Sequence, residues 1–129
     1  MIRMLIDTNI YSSAMRGDLE IVRVLQKTGE IGICAVSIGE LLSGFKAGTW
    51  EKKNRAELEA FLDSPRVRLY TIDEVSAEFY AATLNALKKI GKPIPTNDIW
   101  IAAVALQHGL KLYTKDRHFE DIPGLLLYI

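Results

Sequence analysis

Met4, Leu5 and Ile6 form a short unbroken apolar run that ends abruptly in Asp7-Thr8-Asn9. Such a run reads as a parallel strand covered on both faces, and the polar triplet after it is turn and helix-cap chemistry. A similar short apolar run at Ile31 to Val36 predicts the next strand, Val67 to Ile72 and Lys111 to Thr114 predict two more, and Leu125 to Ile129 predicts a short edge strand. Between them the spacing turns helical. Ile10 to Met15 predicts a short helix broken by Gly17, and Asp18 caps a second one to Lys27 with Ile21, Val22 and Leu25 inside. Ser37 to Phe45 places Leu41, Leu42 and Phe45 on a buried side, and Trp50 to Leu62 is stopped by Ser64-Pro65. Asp73 caps the longest helix, through Ile90, whose stripe Val75, Phe79, Ala82, Ala86 and Ile90 predicts its inner face. Thr96-Asn97 caps a helix from Asp98 to His108, stopped by Gly109. From Ile99 to Leu106 the indole of Trp100 is the only polar side chain, so this helix should be nearly buried.

Strands alternating with helices call for an α/β fold: a parallel sheet of four to five strands between two helical layers. In open sheets of this kind ligands bind beyond the carboxyl ends of the strands. Asp7 and Asp116 follow strands, and Glu40 and Asp98 are expected in the first turns of helices, so four acids can reach one rim. Each has a plainer role available. Asp7 can cap the helix after it, and Ser37-Ile38-Gly39-Glu40 is a capping-box pattern.

The 129 residues are expected to form one domain, with 49% hydrophobic and 25% charged positions in the globular range and no apolar run of membrane-spanning length. Met1 to Met4 lead into the first strand without a signal-peptide pattern, so a cytoplasmic protein is expected. Cys34 is the only cysteine, so an internal disulfide or a cysteine metal site is excluded and a buried apolar role is expected. Sixteen basic and sixteen acidic residues leave no net charge, so any contact with nucleic acid must be local. Lys46, Lys52, Lys53 and Arg55 are interspersed with Glu51, Glu57 and Glu59 and read as a solvated face; Lys111, Lys115 and Arg117 form a second cluster.

Clustered, the four carboxylates no longer read as caps. Like charges ~4 Å apart repel by ~4 kcal/mol per pair at an effective dielectric of 20. A hard divalent cation such as Mg²⁺ or Mn²⁺ resolves this and suits phosphoryl chemistry, whereas zinc lacks suitably spaced His or Cys ligands. The stretches Leu5-Ile6-Asp7-Thr8-Asn9, Ser37-Ile38-Gly39-Glu40-Leu41, Asn97 to Ala103 and Thr114 to Phe119 together resemble the PIN-domain ribonucleases, in particular VapC-type toxins of toxin–antitoxin pairs. The resemblance covers almost the whole chain. It implies an α/β/α sandwich, Mg²⁺ or Mn²⁺ held by Asp7, Glu40, Asp98 and Asp116, and cleavage of RNA. It further implies that Thr114 assists near the metal or phosphate and that Asn9 braces Asp7. Arg117 and His118 fall in the substrate-facing motif, and a homodimer and a small blocking antitoxin are the implied partners. Trp100 stands where such motifs usually carry an aliphatic residue.

Three other readings compete. A phosphoacceptor receiver domain would need adjacent acids after the first strand, and a haloacid-dehalogenase-type phosphatase would need Asp at position nine, where this chain has Asn9. A catalytically silent partner-binding module, with the acids serving only as caps, would be marked by a failure to bind metal.

Overall fold

A computed structural model describes residues 2–129; Met1, assigned above to the lead-in of the first strand, lies outside the described residues. The strands are β1 (Arg3–Ile6), β2 (Glu30–Cys34), β3 (Val67–Tyr70), β4 (Lys111–Tyr113) and β5 (Leu127–Tyr128). The helices are α1 (Thr8–Met15), α2 (Leu19–Lys27), α3 (Ala35–Ala47), α4 (Glu51–Leu62), α5 (Glu74–Lys89) and α6 (Thr96–His108), and a 3₁₀ turn follows at Arg117–Asp121. All strand pairs are parallel, in the order β3-β2-β1-β4-β5, so β1 sits at the centre.

Alternation along the strands divides the core in two. Met4, Ile6, Ile31, Ile33 and Tyr113 point into a layer closed by α1, α2, Leu41 of α3 and Leu58 of α4. Leu5, Cys34, Tyr70 and Leu112 point the other way, against Leu87 of α5 and the apolar body of α6. Ile99 and Ile101 to Ala105 are at most 1% exposed, as the unbroken apolar run required. Gly32 has a specific steric reason: a Cβ there would lie 2.7 Å from Cε2 of the Tyr70 ring, which crosses over the strand. Gly109 ends α6 in the left-handed region at φ 64°, where a side chain would be strained.

Several expectations are corrected. The stripe Val75, Phe79, Ala82, Ala86 and Ile90 does not form the inner face of α5; Val75 and Ile90 are 47% and 55% exposed. The buried face is Ser76, Thr83 and Leu87, flanked by Tyr80 and Leu84. Small Ser76 and Thr83 leave room for α6, the Ser76 hydroxyl bonds to Asp73 and Gln107, and Tyr80 stacks on Trp100 with ring centroids 4.0 Å apart. Helix α3 starts two residues earlier than expected, at Ala35, so Ser37 is inside it and forms no capping box; its N-cap is Cys34, with no side-chain cap. Likewise α6 begins at Thr96 behind Pro95, and neither Thr96 nor Asn97 caps it. Lys46 and Arg55 both pair with Glu51, which accounts for part of the first basic cluster as a solvated face. No helix among the described residues is long and apolar enough to cross a membrane.

Candidate active site

The carboxyl ends of β2, β1 and β4 lie side by side; the segments leaving them deliver Glu40, Asp7 and Asp116, and the first turn of α6 delivers Asp98. Asp7 follows β1 and is 5% exposed. Its Oδ1 accepts the Ile10 backbone N–H at 2.8 Å, which makes it the N-cap of α1, and its Oδ2 accepts the Thr114 hydroxyl at 2.5 Å. The cap role and a place at the rim are therefore both realised. Asn9 is exposed at the pocket mouth, and its backbone N–H acts on the Asp7 carboxylate together with the Ile10 N–H and the Thr114 hydroxyl. Thr114 is fully buried, and its Oγ1 also accepts the Asp116 backbone N–H at 2.9 Å.

Asp116 caps the 3₁₀ turn three residues beyond the end of β4 and accepts the His118 N–H. The turn folds the imidazole back over the rim. His118 Nδ1 lies 2.9 Å from Asp116 Oδ1, and Nε2 lies 3.1 Å from Asp98 Oδ2 in the first turn of α6. Ligand-type atoms of Asp98, Asp116 and His118 fall within 4.8 Å of one another. An imidazole can donate to one carboxylate when neutral and to both only as imidazolium.

Glu40 stands in the second turn of α3 rather than the first. Its Oε1 is 2.6 Å from the Thr8 hydroxyl and its Oε2 is 3.4 Å from Asn97 Nδ2. Thr8 also lies 2.9 Å from the hydroxyl of Ser37, which is fully buried. Thr8, Ser37 and Asn97 were not among the site residues expected from sequence. A signal for Ser37 was available, because residues three apart on a helix share a face and Ser37 precedes Glu40 by three.

Electrostatics link these residues into one set. Burial raises the Asp7 pKa above its ordinary 3.8; the Thr114 and Ile10 bonds offset part of this, and the charge of Asp116 adds to it. Burial also raises Asp98, with His118 opposing and Glu40 and Asp116 reinforcing the rise. Among the described residues no Lys or Arg forms an ion pair with Asp7, Glu40, Asp98 or Asp116. The nearby basic side chains are turned to other acids, Lys115 to Glu20 and Arg117 to Glu120, both at 2.9 Å. A hollow of about 310 Å³ beside Asp7, lined also by Asn9, Ser13, Lys115, Asp116 and Arg117, opens the rim to solvent. The second histidine, His108, packs against Tyr70 outside the acidic cluster.

Carboxylate oxygens, the repulsion among them and the lack of a Lys or Arg counter-ion among the described residues fit a hard divalent cation, and His118 sets one nitrogen beside Asp98 and Asp116, a histidine placement that residue spacing had not suggested. Fold and donor set thus define a class: a parallel α/β/α domain with an acidic, cation-seeking pocket at the carboxyl edge of its sheet. Residues 4–125 match the PIN domain family. Ribonuclease VapC2 of Haemophilus influenzae is 32% identical over 128 residues, spanning 97% of this chain and 96% of that protein. Ribonuclease VapC4 of Mycobacterium tuberculosis is 30% identical over 96 residues, 74% of each. Among solved structures, VapBC2 from Rickettsia felis, bound to a DNA fragment from their promoter, superposes with a TM-score of 0.89 at 26% identity, covering 99% of this chain and 98% of that one. The chain belongs to the PIN-domain family, on its VapC branch.

Proposed function

We propose that this chain is a metal-dependent endoribonuclease that hydrolyses RNA phosphodiester bonds in the cytoplasm as the toxin of a toxin–antitoxin pair. The observation that supports the reading best is that Asp98 and Asp116 meet at His118, with Asp7 electrostatically coupled to Asp116 and Glu40 to Asp98, and that among the described residues none of the four acids has a Lys or Arg ion-pair partner. The similarity to proteins named ribonuclease VapC supports RNA as substrate, and the VapBC complexes among structural neighbours support a small antitoxin partner. A homodimer is part of the same reading.

Mg²⁺ or Mn²⁺ held by the four acids would neutralise charge developing on the phosphodiester and acidify the attacking water. The chain's own groups do the rest. Thr114 and the Ile10 N–H fix both oxygens of Asp7, so the most buried acid keeps one orientation. His118 holds Asp98 and Asp116 at a common distance. Asn9, Ser13 and Arg117 line the hollow next to Asp7 and offer donors to a flanking phosphate. Receiver-type or phosphatase chemistry has no support, since both need a second acid close behind Asp7 and position nine is an exposed Asn.

The test is 5′-end sequencing of cellular RNA after brief expression of the parent and of Glu40→Gln. The parent should produce new 5′ ends at a recurrent sequence and arrest growth, and the variant should do neither. Identical RNA profiles from both would support the silent partner-binding module instead.

A further inference from the structure

We infer that Thr8 and Ser37 are positioning residues: a directional hydrogen-bond relay, Ser37 to Thr8 to Glu40, that holds Glu40 in the metal site. The inference rests on the metal-site reading above. The Thr8 hydroxyl oxygen has two close neighbours, Glu40 Oε1 at 2.6 Å and Ser37 Oγ at 2.9 Å. A carboxylate accepts hydrogen bonds and donates none, and a threonine hydroxyl has one proton. That proton belongs on the shorter, charge-assisted contact to Glu40. With that proton committed to Glu40, Ser37 must supply the proton of the 2.9 Å contact to Thr8. Each hydroxyl therefore has one fixed role.

The relay is needed because of where Glu40 is rooted. Of the four acids it alone stands in a second helical turn, and its other contact, to Asn97, is a long 3.4 Å. Beside it lies an open groove of about 660 Å³ lined by Gly39, Ser43 and Gly44, whose glycine positions would meet no atom within 4 Å if they carried a Cβ. The open groove leaves room for the Glu40 side chain to swing away from the other acids, with only the long bond to Asn97 besides Thr8 to hold it. Thr8 is the residue directly after Asp7, so its bond to Glu40 ties the segment after β1 to the helix that follows β2. Partners of this kind typically tune metal affinity or activity by about 10–100-fold.

The experiment is calorimetric titration of the apo protein with Mn²⁺, together with cleavage kinetics on a single-stranded RNA, for the parent, Thr8→Val, Thr8→Ser, Ser37→Ala and Glu40→Gln. Thr8→Val keeps the shape and removes the relay; it should weaken Mn²⁺ binding and lower kcat by roughly 10–100-fold while KM for RNA moves less than about threefold. Thr8→Ser should restore both to within about threefold, and Ser37→Ala should fall between, since Thr8 can still reach Glu40 without its fixed orientation. Melting in EDTA separates a folding defect from a binding defect, and Ser37→Ala carries the test should Thr8→Val not fold. Unchanged Mn²⁺ affinity in both Thr8→Val and Ser37→Ala, with a parent that binds well, would overturn the relay alone. No Mn²⁺ binding by the parent would instead overturn the metal-site reading on which it rests.

Discussion

Asp7→Asn separates metal binding from folding, because it removes a buried charge while leaving the size of the side chain intact. Folding raises the Asp7 pKa above 3.8, mainly through burial. Such a group contributes full stability below 3.8, where folded and unfolded chains are both protonated, and that stability is lost as pH rises through the folded value. At pH 8 the ionised carboxylate is therefore a cost that the amide does not carry. Removing one charge from a cluster relieves ~2–4 kcal/mol per pair at separations of ~4–8 Å and an effective dielectric of 20. Against this, the amide oxygen can keep the Ile10 N–H, but the amide nitrogen turns toward Thr114, whose proton loses a charged acceptor at a cost of about 1.5–3 kcal/mol. The two nearly cancel. In EDTA the variant should melt within about 5 °C of the parent, or above it, since 1 kcal/mol shifts a domain of this size by about 3–6 °C. With Mn²⁺ at ~100 times its Kd the parent gains ~2.7 kcal/mol and the variant little, so the order of stability should reverse. Circular-dichroism melts at pH 8, with EDTA and with Mn²⁺, read both numbers. A variant melting more than about 10 °C below the parent in EDTA, or gaining as much as the parent from Mn²⁺, would refute the reasoning.

Three further outcomes follow from the same geometry. In EDTA the parent's stability, measured by urea titration at a series of pH values, should decline as pH rises above 3.8 through the raised values of Asp7 and Asp98, and saturating Mn²⁺ should flatten that decline. Leu87→Ala should cost about 2–5 kcal/mol, whereas Val75→Asn and Ile90→Asn on the exposed stripe of α5 should each stay within about 0.5 kcal/mol by the same titration. Gly32→Ala should destabilise by about 1–3 kcal/mol, because its Cβ would meet the Tyr70 ring, and Tyr70→Leu in the same chain should recover part of the loss.

Most of the architecture was legible because short apolar runs at β1, β2, β3 and β4 alternate with helical spacing, and the unbroken run Ile99 to Leu106 has no polar face to expose. What misled was local ambiguity. On α5 two adjoining stripes are both compatible with a helical period, and the one that packs contains Ser76 and Thr83, small polar residues whose value lies in admitting α6 and, for Ser76, in bonding Gln107. Residue spacing carries no information on that neighbour. Ser37-Ile38-Gly39-Glu40 has the form of a capping box, yet β2 ends at Cys34 and the helix begins before Ser37, so both side chains are free to face Thr8. The places of Asp7 and Asp116 after strands and of Asp98 in a first helical turn were readable from the sequence. The imidazole between Asp98 and Asp116 was not, because it depends on a 3₁₀ turn at Arg117–Asp121 that no hydrophobic period announces.

Metal-dependent hydrolysis by the four-acid rim is tested most directly by the chemistry of the cut ends. Purified protein should cleave single-stranded RNA in Mg²⁺ or Mn²⁺ to fragments bearing 5′-phosphate and 3′-hydroxyl groups, and EDTA or Asp98→Asn should stop the reaction. Fragments ending in 2′,3′-cyclic phosphate, formed equally well in EDTA, would contradict a catalytic role for Asp7, Glu40, Asp98 and Asp116.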